Sequence, residues 1–157
     1  MFTKGKIKDL VFCVINKNVD ERGYLAEMHR IDELQKNLQP VMSYISVTHA
    51  GVSRGPHEHK KQSDIMIFVG ASKFKIYLWD MRKKSESYKV SQILFANEGE
   101  LSKLIVPNGV VHAYKNVGKK DGIVINMPNQ LYKGKNKKYK VDEIRHENEL
   151  NTIYKIK

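Results

Sequence analysis

Three histidines and one arginine have the residue types and the spacing that acid–base chemistry or metal binding requires. His57 and His59 are two residues apart, so on a β-strand both side chains would point to the same face. His112 lies in a second strand-like segment, after the turn residues Pro107-Asn108-Gly109. In a small barrel, inward side chains from different strands meet in the interior. We therefore expect three imidazoles to converge beside Arg54, as either an acid–base site or a metal site.

Short strands separated by turn residues are the elements that would position these side chains. Phe74, Ile76 and Leu78 alternate with residues that face the other way, which is the period of a β-strand. Strands are predicted over residues 41–48, 65–69, 72–79, 90–96, 103–106, 110–116 and 122–127. This spacing indicates an all-β sandwich or closed barrel. Helical turns are expected only at residues 32–35 and 141–150.

Length and composition predict one domain over residues 1–157, with a packed core, because 41% of the residues are hydrophobic. The only cysteine, Cys13, lies in an apolar run and is expected to be a small buried hydrophobe. One cysteine excludes a disulfide within the chain and favours a reducing compartment. No segment has the length of a membrane span or the features of a signal peptide, so we expect a cytoplasmic protein with no membrane association.

The net charge of +11, from 28 Lys and Arg against 17 Asp and Glu, favours an anionic partner. The densest basic run, Lys133–Lys138, has no interleaved aromatic residues and no zinc-ligand spacing. We interpret it as a solvated loop and predict a phosphorylated small molecule, rather than nucleic acid, as the ligand.

Two motifs around the histidines resemble those of the cupin superfamily. Gly51, followed by five residues and His57-x-His59, resembles the first motif, and Pro107-x-Gly109-x-x-His112-x-x-x-Asn116 resembles the second. The resemblance implies a cupin-type double-stranded β-helix, which is a jelly-roll barrel with minor helical segments.

A narrower resemblance, to the dTDP-4-dehydrorhamnose 3,5-epimerase family, covers most of the chain. Five segments carry it in order: Asp20–Glu27, Arg54–His57, Leu78–Arg82, Val106–Tyr114 and Glu143–Arg145. The resemblance implies an isomerase without a metal or other cofactor, and a homodimer that acts on a nucleotide-linked 4-keto-6-deoxy sugar. It also implies a place in deoxysugar (dTDP-rhamnose) or polysaccharide biosynthesis.

The chemistry of such an epimerase assigns expected roles to the matching residues. A ketone acidifies its neighbouring C–H bonds, so epimerisation needs a base on one face of the sugar and an acid on the other. By resemblance, His57 is the base, Arg22 and Arg54 hold the diphosphate, and Tyr24 and Glu27 contact the nucleotide base across a dimer interface. His59, His112 and Asn126 are expected to line the sugar pocket.

Two positions depart from the pattern of that family. Asp64 stands where the family has a lysine near the substrate oxygens, and Asn126 stands where it has the acid tyrosine. We expect Asp64 to take part in catalysis and Tyr132 to be the acid, with Tyr114 and Tyr44 as alternatives. The carboxylate that assists the base is expected within residues 147–149.

These departures leave several activities open. The enzyme could invert one carbon rather than two, or use another sugar nucleotide. It could also be a sugar 3,4-ketoisomerase, because Arg54–Lys60 resembles the Arg-Gly-x-His-x-His-Lys segment of those enzymes.

A metal-dependent cupin is the main rival to the epimerase interpretation. His57, His59 and His112, with Asp64 or Gln62, would suit iron, manganese, nickel or zinc. A divalent metal ion would also stabilise an enolate as a Lewis acid. A barrel that binds a sugar nucleotide without catalysis is the third interpretation.

Overall fold

The computed structural model describes all 157 residues as thirteen β-strands and four 3-10 turns. The strands are β1 Thr3–Lys4, β2 Val11–Val14, β3 Asn18–Asp20, β4 Gly23–Leu25, β5 Tyr44–Thr48, β6 Ser53–Glu58, β7 Asp64–Phe68, β8 Phe74–Asp80, β9 Val90–Ala96, β10 Ser102–Val106, β11 Val110–Asn116, β12 Gly122–Pro128 and β13 Ile144–Arg145. The 3-10 turns are Ile31–Glu33, Lys36–Leu38, Lys135–Lys137 and His146–Asn148.

Two sheets pack face to face. The six-stranded sheet has the order β1-β9-β8-β11-β6-β13, and the five-stranded sheet has the order β2-β10-β7-β12-β5. Strands β3 and β4 form a separate hairpin. The predicted all-β architecture is confirmed, and each predicted strand matches an observed one to within three residues at either end. The two sheets are not joined by hydrogen bonds into a closed ring.

The main core lies between the two sheets and follows the predicted alternation of β8. Phe74, Ile76 and Leu78 point inward and pack with residues such as Phe68 and Leu104 of the other sheet. The opposite face of β8 is buried as well, because the C-terminal segment covers it. The six-stranded sheet is therefore packed on both faces, by the main core on one side and by the C-terminal segment on the other.

The outer face of the five-stranded sheet is only partly covered. Met28, Leu34 and Leu38, in the segment before β5, pack on the buried residues Ile65 and Ile67. The strands at the two edges of this sheet keep apolar side chains in solvent.

Cys13 lies in one of these edge strands, and the expectation that it is buried is wrong. Its neighbour Phe12 points inward and packs against the core, whereas Cys13 is exposed on the outer face opposite Lys103. A continuous apolar run is typical of a strand buried on both faces, but β2 has no neighbour on one edge and no covering layer over Cys13.

The helical turn expected at residues 141–150 is present only over His146–Asn148. Ile144 and Arg145 form β13, which pairs with His57 and Glu58 of β6, and only one 3-10 turn follows it. The free edge of β6 offers backbone hydrogen bonds that compete with a short helix. At residues 31–33 the single expected turn is present. None of the helical turns combines the length and apolar composition that crossing a bilayer would require.

Candidate functional site

A cavity of about 880 Å³ opens between the two sheets. Its wall on the six-stranded side includes His57, His59 and Tyr114, and its wall on the five-stranded side includes Tyr44 and Asn126. This volume falls in the range of pockets that bind small molecules. The cavity contains most of the polar residues that the sequence singled out.

His57 and His112 are direct cross-strand neighbours, which explains why they meet. They pair in the antiparallel register of β6 and β11, and their ring centroids are 4.4 Å apart. Gly55 allows this approach, because it has a φ of +80° and a Cβ there would lie 2.6 Å from the carbonyl oxygen of His112. His59 completes the expected cluster, with its ring centroid 5.8 Å from that of His57.

Hydrogen bonds fix the orientation of the His59 and His112 rings. His112 donates from Nδ1 to the carbonyl oxygen of Val110 at 3.1 Å, while its buried Nε2 has no protein partner. His59 donates from Nδ1 to the carbonyl oxygen of Asp142 and accepts at Nε2 from the amide of Gln62 at 3.2 Å. Gln62 therefore occupies Nε2 of His59, whereas Nε2 of His112 has no protein partner.

His57 is held neutral by its surroundings. Burial lowers the pKa of His57 to about 2, and the nearby rings of His112 and His59 add to the effect. Burial also lowers the pKa of His112, although the carboxylate of Asp64 opposes this. Near neutral pH, His57 is an unprotonated imidazole in the cavity wall, which is the form that accepts a proton.

Asp64 lies on the inner face of β7 and is 1% exposed. Its Oδ1 accepts hydrogen bonds from Gln62 at 2.9 Å and from Asn126 at 3.1 Å, and its Oδ2 lies 3.4 Å from Nε2 of His59. The carboxylate thus orients two side-chain amides of the site. It does so at the position that, by resemblance, a lysine would occupy.

Three phenols reach the cavity from different elements. Tyr44 on β5 lies opposite Asn126 and accepts a hydrogen bond from its Nδ2 at 2.5 Å. Tyr114 on β11 shares a hydrogen bond of 3.2 Å with Ser46. Tyr132, the predicted acid, lines the mouth after β12 and is 52% exposed.

The C-terminal segment adds side chains to the cavity, and the sequence had assigned no role to two of them, Glu143 and Arg145. Glu143, Arg145 and Glu147 line the cavity, and Arg145 donates to Glu143 at 2.7 Å. Glu149 instead contacts His146, away from the cavity. Of the carboxylates expected at residues 147–149, Glu147 is the one at the site. The pairing of β13 with β6 places this segment, and an Ile-Arg pair alone does not signal it.

Arg54 lines the cavity, with its guanidinium anchored on β5. Nε donates to Thr48 at 2.9 Å and Nη2 donates to the carbonyl oxygen of Val47 at 2.7 Å. The remaining N–H groups are available to an anion. Lys137, from the basic run expected to be a solvated loop, is exposed and also lines the cavity.

Arg22, Tyr24 and Glu27 do not line this cavity. Arg22 and Tyr24 lie in the β3–β4 hairpin and are exposed, with Arg22 paired to Asp20 of the same hairpin. Glu27 pairs with Arg30. The structure therefore brings together the predicted residues of the two sheets but leaves these three apart.

The three histidines are also the residues that could hold a metal ion. One ring nitrogen from each of His57, His59 and His112 lies within 4.8 Å of the others. Imidazole nitrogens and the nearby Asp64 carboxylate form a donor set that first-row divalent metals accept. Binding through Nε2 of His59 would require Gln62 to release it.

The family model for dTDP-4-dehydrorhamnose 3,5-epimerase matches residues 4–149. The chain belongs to the dTDP-4-dehydrorhamnose 3,5-epimerase family. This membership confirms the sequence-based resemblance and the predicted class, an isomerase that acts as a sugar-nucleotide epimerase.

Two curated relatives of this epimerase-family protein come from polysaccharide metabolism. A probable low-salt glycan biosynthesis epimerase, Agl13 of Haloferax volcanii, is 27% identical over 126 residues, which cover 80% of this chain and 81% of the relative. The spore coat polysaccharide biosynthesis protein SpsL of Bacillus subtilis is 30% identical over 113 residues, covering 72% of this chain and 70% of the relative.

A solved epimerase structure has the same fold. The rmlC epimerase of Mycobacterium tuberculosis superposes with a TM-score of 0.75 at 17% identity, covering 91% of this chain and 71% of the other. The likeness confirms the predicted cupin-type jelly roll for this member of the epimerase family.

Proposed function

We propose that this epimerase acts on a nucleotide-linked 4-keto-6-deoxy sugar and inverts a carbon next to the ketone. One observation carries the proposal: His57 and the Tyr44–Asn126 pair lie on opposite sheets and face the same cavity. A sugar ring between the sheets would have a base on one face and a hydroxyl donor on the other, which is the requirement of a proton-transfer epimerase.

The base in this proposal is His57. Its neutral imidazole takes the proton from the carbon next to the ketone, and the electron pair of that C–H bond moves into the enolate. Burial opposes a positive charge on His57, but the enolate formed beside it supplies a negative charge that pairs with the imidazolium. Asp64 holds the side-chain amides of Gln62 and Asn126 in place at the same end of the cavity.

The acid in this proposal is a phenol of the cavity. Tyr132 is the sequence-based candidate, and Tyr44 and Tyr114 are the other two. His59 and His112 shape the sugar pocket around His57, and Arg54 holds the diphosphate with its free N–H groups. Neither this proton transfer nor the diphosphate contact calls for a metal or another cofactor.

We further propose a homodimer, in which Arg22, Tyr24 and Glu27 of a second copy contact the nucleotide. The β3–β4 hairpin is exposed along both strands and carries Val19 and Leu25, at 76% and 65% exposure. A two-stranded hairpin with no covering layer is marginal in water. The edge strand β5 also presents Ile45 and Val47 to solvent. A second copy would cover these apolar groups.

The relatives in glycan and spore coat synthesis support a role in polysaccharide biosynthesis, with dTDP-rhamnose formation as the specific candidate. The cytoplasm is the proposed compartment, since the only cysteine has no partner for a disulfide.

Solvent exchange tests the proposed reaction. The purified protein is incubated in D₂O with a panel of nucleotide-linked 4-keto-6-deoxy sugars that includes dTDP-4-keto-6-deoxyglucose, and deuterium at C3 and C5 is measured by NMR. We expect deuterium at one or both carbons, and its loss in His57→Ala. Absence of exchange over the whole panel would refute the reaction, and exchange in His57→Ala would refute the base. Transfer of the ketone to C3 would identify a 3,4-ketoisomerase instead.

A metal-dependent reaction is the second candidate, because three imidazoles converge with their nitrogens within 4.8 Å. Elemental analysis of the purified protein, followed by chelation and return of manganese, iron, nickel or zinc, separates the two. Deuterium exchange that survives complete removal of metal supports the metal-independent epimerase. Exchange that disappears on chelation and returns with one metal would establish the second candidate.

A further inference from the structure

Tyr44 and Asn126 form one unit on the inner face of the five-stranded sheet. They are directly opposed in the antiparallel register of β5 and β12, and Nδ2 of Asn126 donates to the phenol oxygen of Tyr44 at 2.5 Å. The same Nδ2 donates to Asp64 at 3.1 Å, so both of its hydrogens are used within the protein. The amide therefore fixes the phenol oxygen and leaves the phenol hydrogen free.

Asn126 occupies the position at which the resemblance places an acid tyrosine. An amide cannot replace a phenol as a proton donor, because it does not release a proton near neutral pH. The cross-strand neighbour of that position is a tyrosine, and its hydroxyl faces the same cavity. A phenol is thus present on the neighbouring strand β5, at Tyr44, rather than on β12.

The other two phenols fit the task less well. Tyr114 lies on β11, in the same sheet as His57, is 6% exposed and shares its hydroxyl with Ser46. A donor on the same sheet as the base does not reach the opposite face of a sugar that lies between the sheets. Tyr132 follows β12 at the mouth of the cavity, and its hydroxyl has no hydrogen-bond partner to fix its direction.

Building on the proposed epimerisation, we propose that Tyr44 is the catalytic acid, opposite His57. His57 removes the proton from one face of the carbon, and the C–H electron pair passes to the ketone oxygen as an enolate. The enolate collapses back to the ketone while the carbon takes the proton of the Tyr44 hydroxyl from the other face, forming the inverted C–H bond. The Tyr44 phenolate then regains a proton from water, and the His57 imidazolium releases one to water.

The surroundings of Tyr44 suit this step. Tyr44 is 47% exposed, but the partial burial of its phenol and, more weakly, the carboxylate of Asp64 raise the pKa of Tyr44 to about 12, against a smaller opposing effect of Asn126. The phenol is therefore protonated before the reaction. The hydrogen bond from Asn126 strengthens as charge develops on the phenol oxygen, so it stabilises the phenolate that the transfer leaves behind.

Separate measurements of exchange and inversion test the assignment. The substrate dTDP-4-keto-6-deoxyglucose is incubated in D₂O with the wild-type protein or with Tyr44→Phe. NMR follows both deuterium uptake and formation of the epimer. His57 alone can remove a proton and return a deuteron to the same face. We therefore expect Tyr44→Phe to retain deuterium uptake within about threefold and to lose inversion by about 100-fold or more.

The controls use other tyrosines of the chain. Tyr88→Phe, outside the cavity, should match wild type in both measurements. The ratio of inversion to uptake is taken within each sample, so partial unfolding of Tyr44→Phe does not affect it, and Tyr44→Leu provides a second variant. Unchanged inversion in Tyr44→Phe, or a selective loss in Tyr132→Phe instead, would overturn the assignment while leaving the epimerase intact. Absence of exchange in wild type would refute the proposed function itself.

Discussion

His57 lies directly opposite His112 on antiparallel strands, with ring centroids 4.4 Å apart, His112 buried and His57 partly buried. Two imidazolium charges at this distance repel each other, and burial disfavours even one. Both pKa values are lowered as a result, that of His57 to about 2. The pair explains how the site keeps a free base available without a carboxylate hydrogen-bonded to it.

The first prediction concerns the pH profile of solvent exchange. Because the pKa of His57 lies far below the assay range, its base form is fully populated from pH 8 to pH 5. We therefore expect kcat/KM for deuterium uptake to stay level between pH 8 and pH 5, without the fall near pH 6 that an ordinary histidine base would produce. The measurement is uptake into dTDP-4-keto-6-deoxyglucose at matched ionic strength. An acid limb near pH 6 that persists in His59→Gln would contradict a neutral His57.

The second prediction concerns Asp64. Asp64→Asn keeps the volume and can still accept from Gln62 and Asn126 at Oδ1, but it replaces the negatively charged Oδ2 beside Nε2 of His59 with an N–H₂ group. Hydrogen bonds to a neutral acceptor are weaker than those to a carboxylate by about 1 kcal/mol each, and we expect kcat to fall by about tenfold or more with a small change in KM. Asp121→Asn, an exposed carboxylate paired with His49, is the matched control. Full activity in Asp64→Asn would show that the Asp64 carboxylate does not contribute to catalysis.

The sequence predicted the frame of the site better than its details. Alternation along β8 is visible because its two faces carry different residue types, and the His57-x-His59 spacing required both rings to share a face. The cross-strand pair of Tyr44 and Asn126 depends on the register between β5 and β12, which no local pattern encodes.

Two departures from the sequence-based expectations have the same physical origin. Cys13 and the segment at residues 141–150 both belong to sheet edges, where burial and pairing depend on what lies beside the strand rather than on the residues within it. The contributions of Glu143 and Arg145 to the cavity were missed for this reason, since they follow from the pairing of β13 with β6.

The third prediction concerns Arg54. Its guanidinium is fixed by Thr48 and Val47, which leaves its other N–H groups directed to an anion. Arg54→Ala should raise KM for the sugar nucleotide, and Kd for dTDP, by about tenfold or more, with a smaller change in kcat. Arg54→Lys should recover little of the lost affinity, because a single ammonium group cannot replace the paired N–H donors of the guanidinium. Calorimetry with dTDP measures the loss, and an unchanged Kd in Arg54→Ala would place the diphosphate elsewhere.

The fourth prediction concerns the exposed hairpin. If a second copy covers Val19 and Leu25, the double variant Val19→Ser/Leu25→Ser should shift the protein from dimer to monomer and weaken dTDP binding. Sedimentation velocity over a concentration series measures the first effect, and calorimetry measures the second. Val117→Ser, at another exposed position, is the control. A wild-type protein that stays monomeric at all concentrations would exclude the dimer and the nucleotide contacts of Arg22, Tyr24 and Glu27 with it.

The fifth prediction concerns stability rather than catalysis. Asp80 ends β8 fully buried, and it accepts hydrogen bonds from Arg82 at 2.9 Å, from Ser87 at 2.6 Å and from Ser85 at 2.7 Å. Burial alone would raise the pKa of Asp80, but Arg82 and the hydroxyls outweigh it and lower the pKa below its ordinary value of 3.8. Arg82→Ala leaves this carboxylate without its counter-charge, so we expect a loss of about 3 kcal/mol in the free energy of unfolding, measured in urea.

The pH dependence of stability gives the same pair a second test. Because the pKa of Asp80 is lower in the folded state, its stabilising contribution is present above pH 3.8 and is lost as the pH falls further. The free energy of unfolding should therefore decline more steeply below pH 4 in wild type than in Asp80→Asn, even though Asp80→Asn is less stable at pH 7. Arg30→Ala, which breaks the exposed pair with Asp32, should leave the urea midpoint nearly unchanged. Equal slopes in wild type and Asp80→Asn would show that folding does not lower the pKa of this carboxylate.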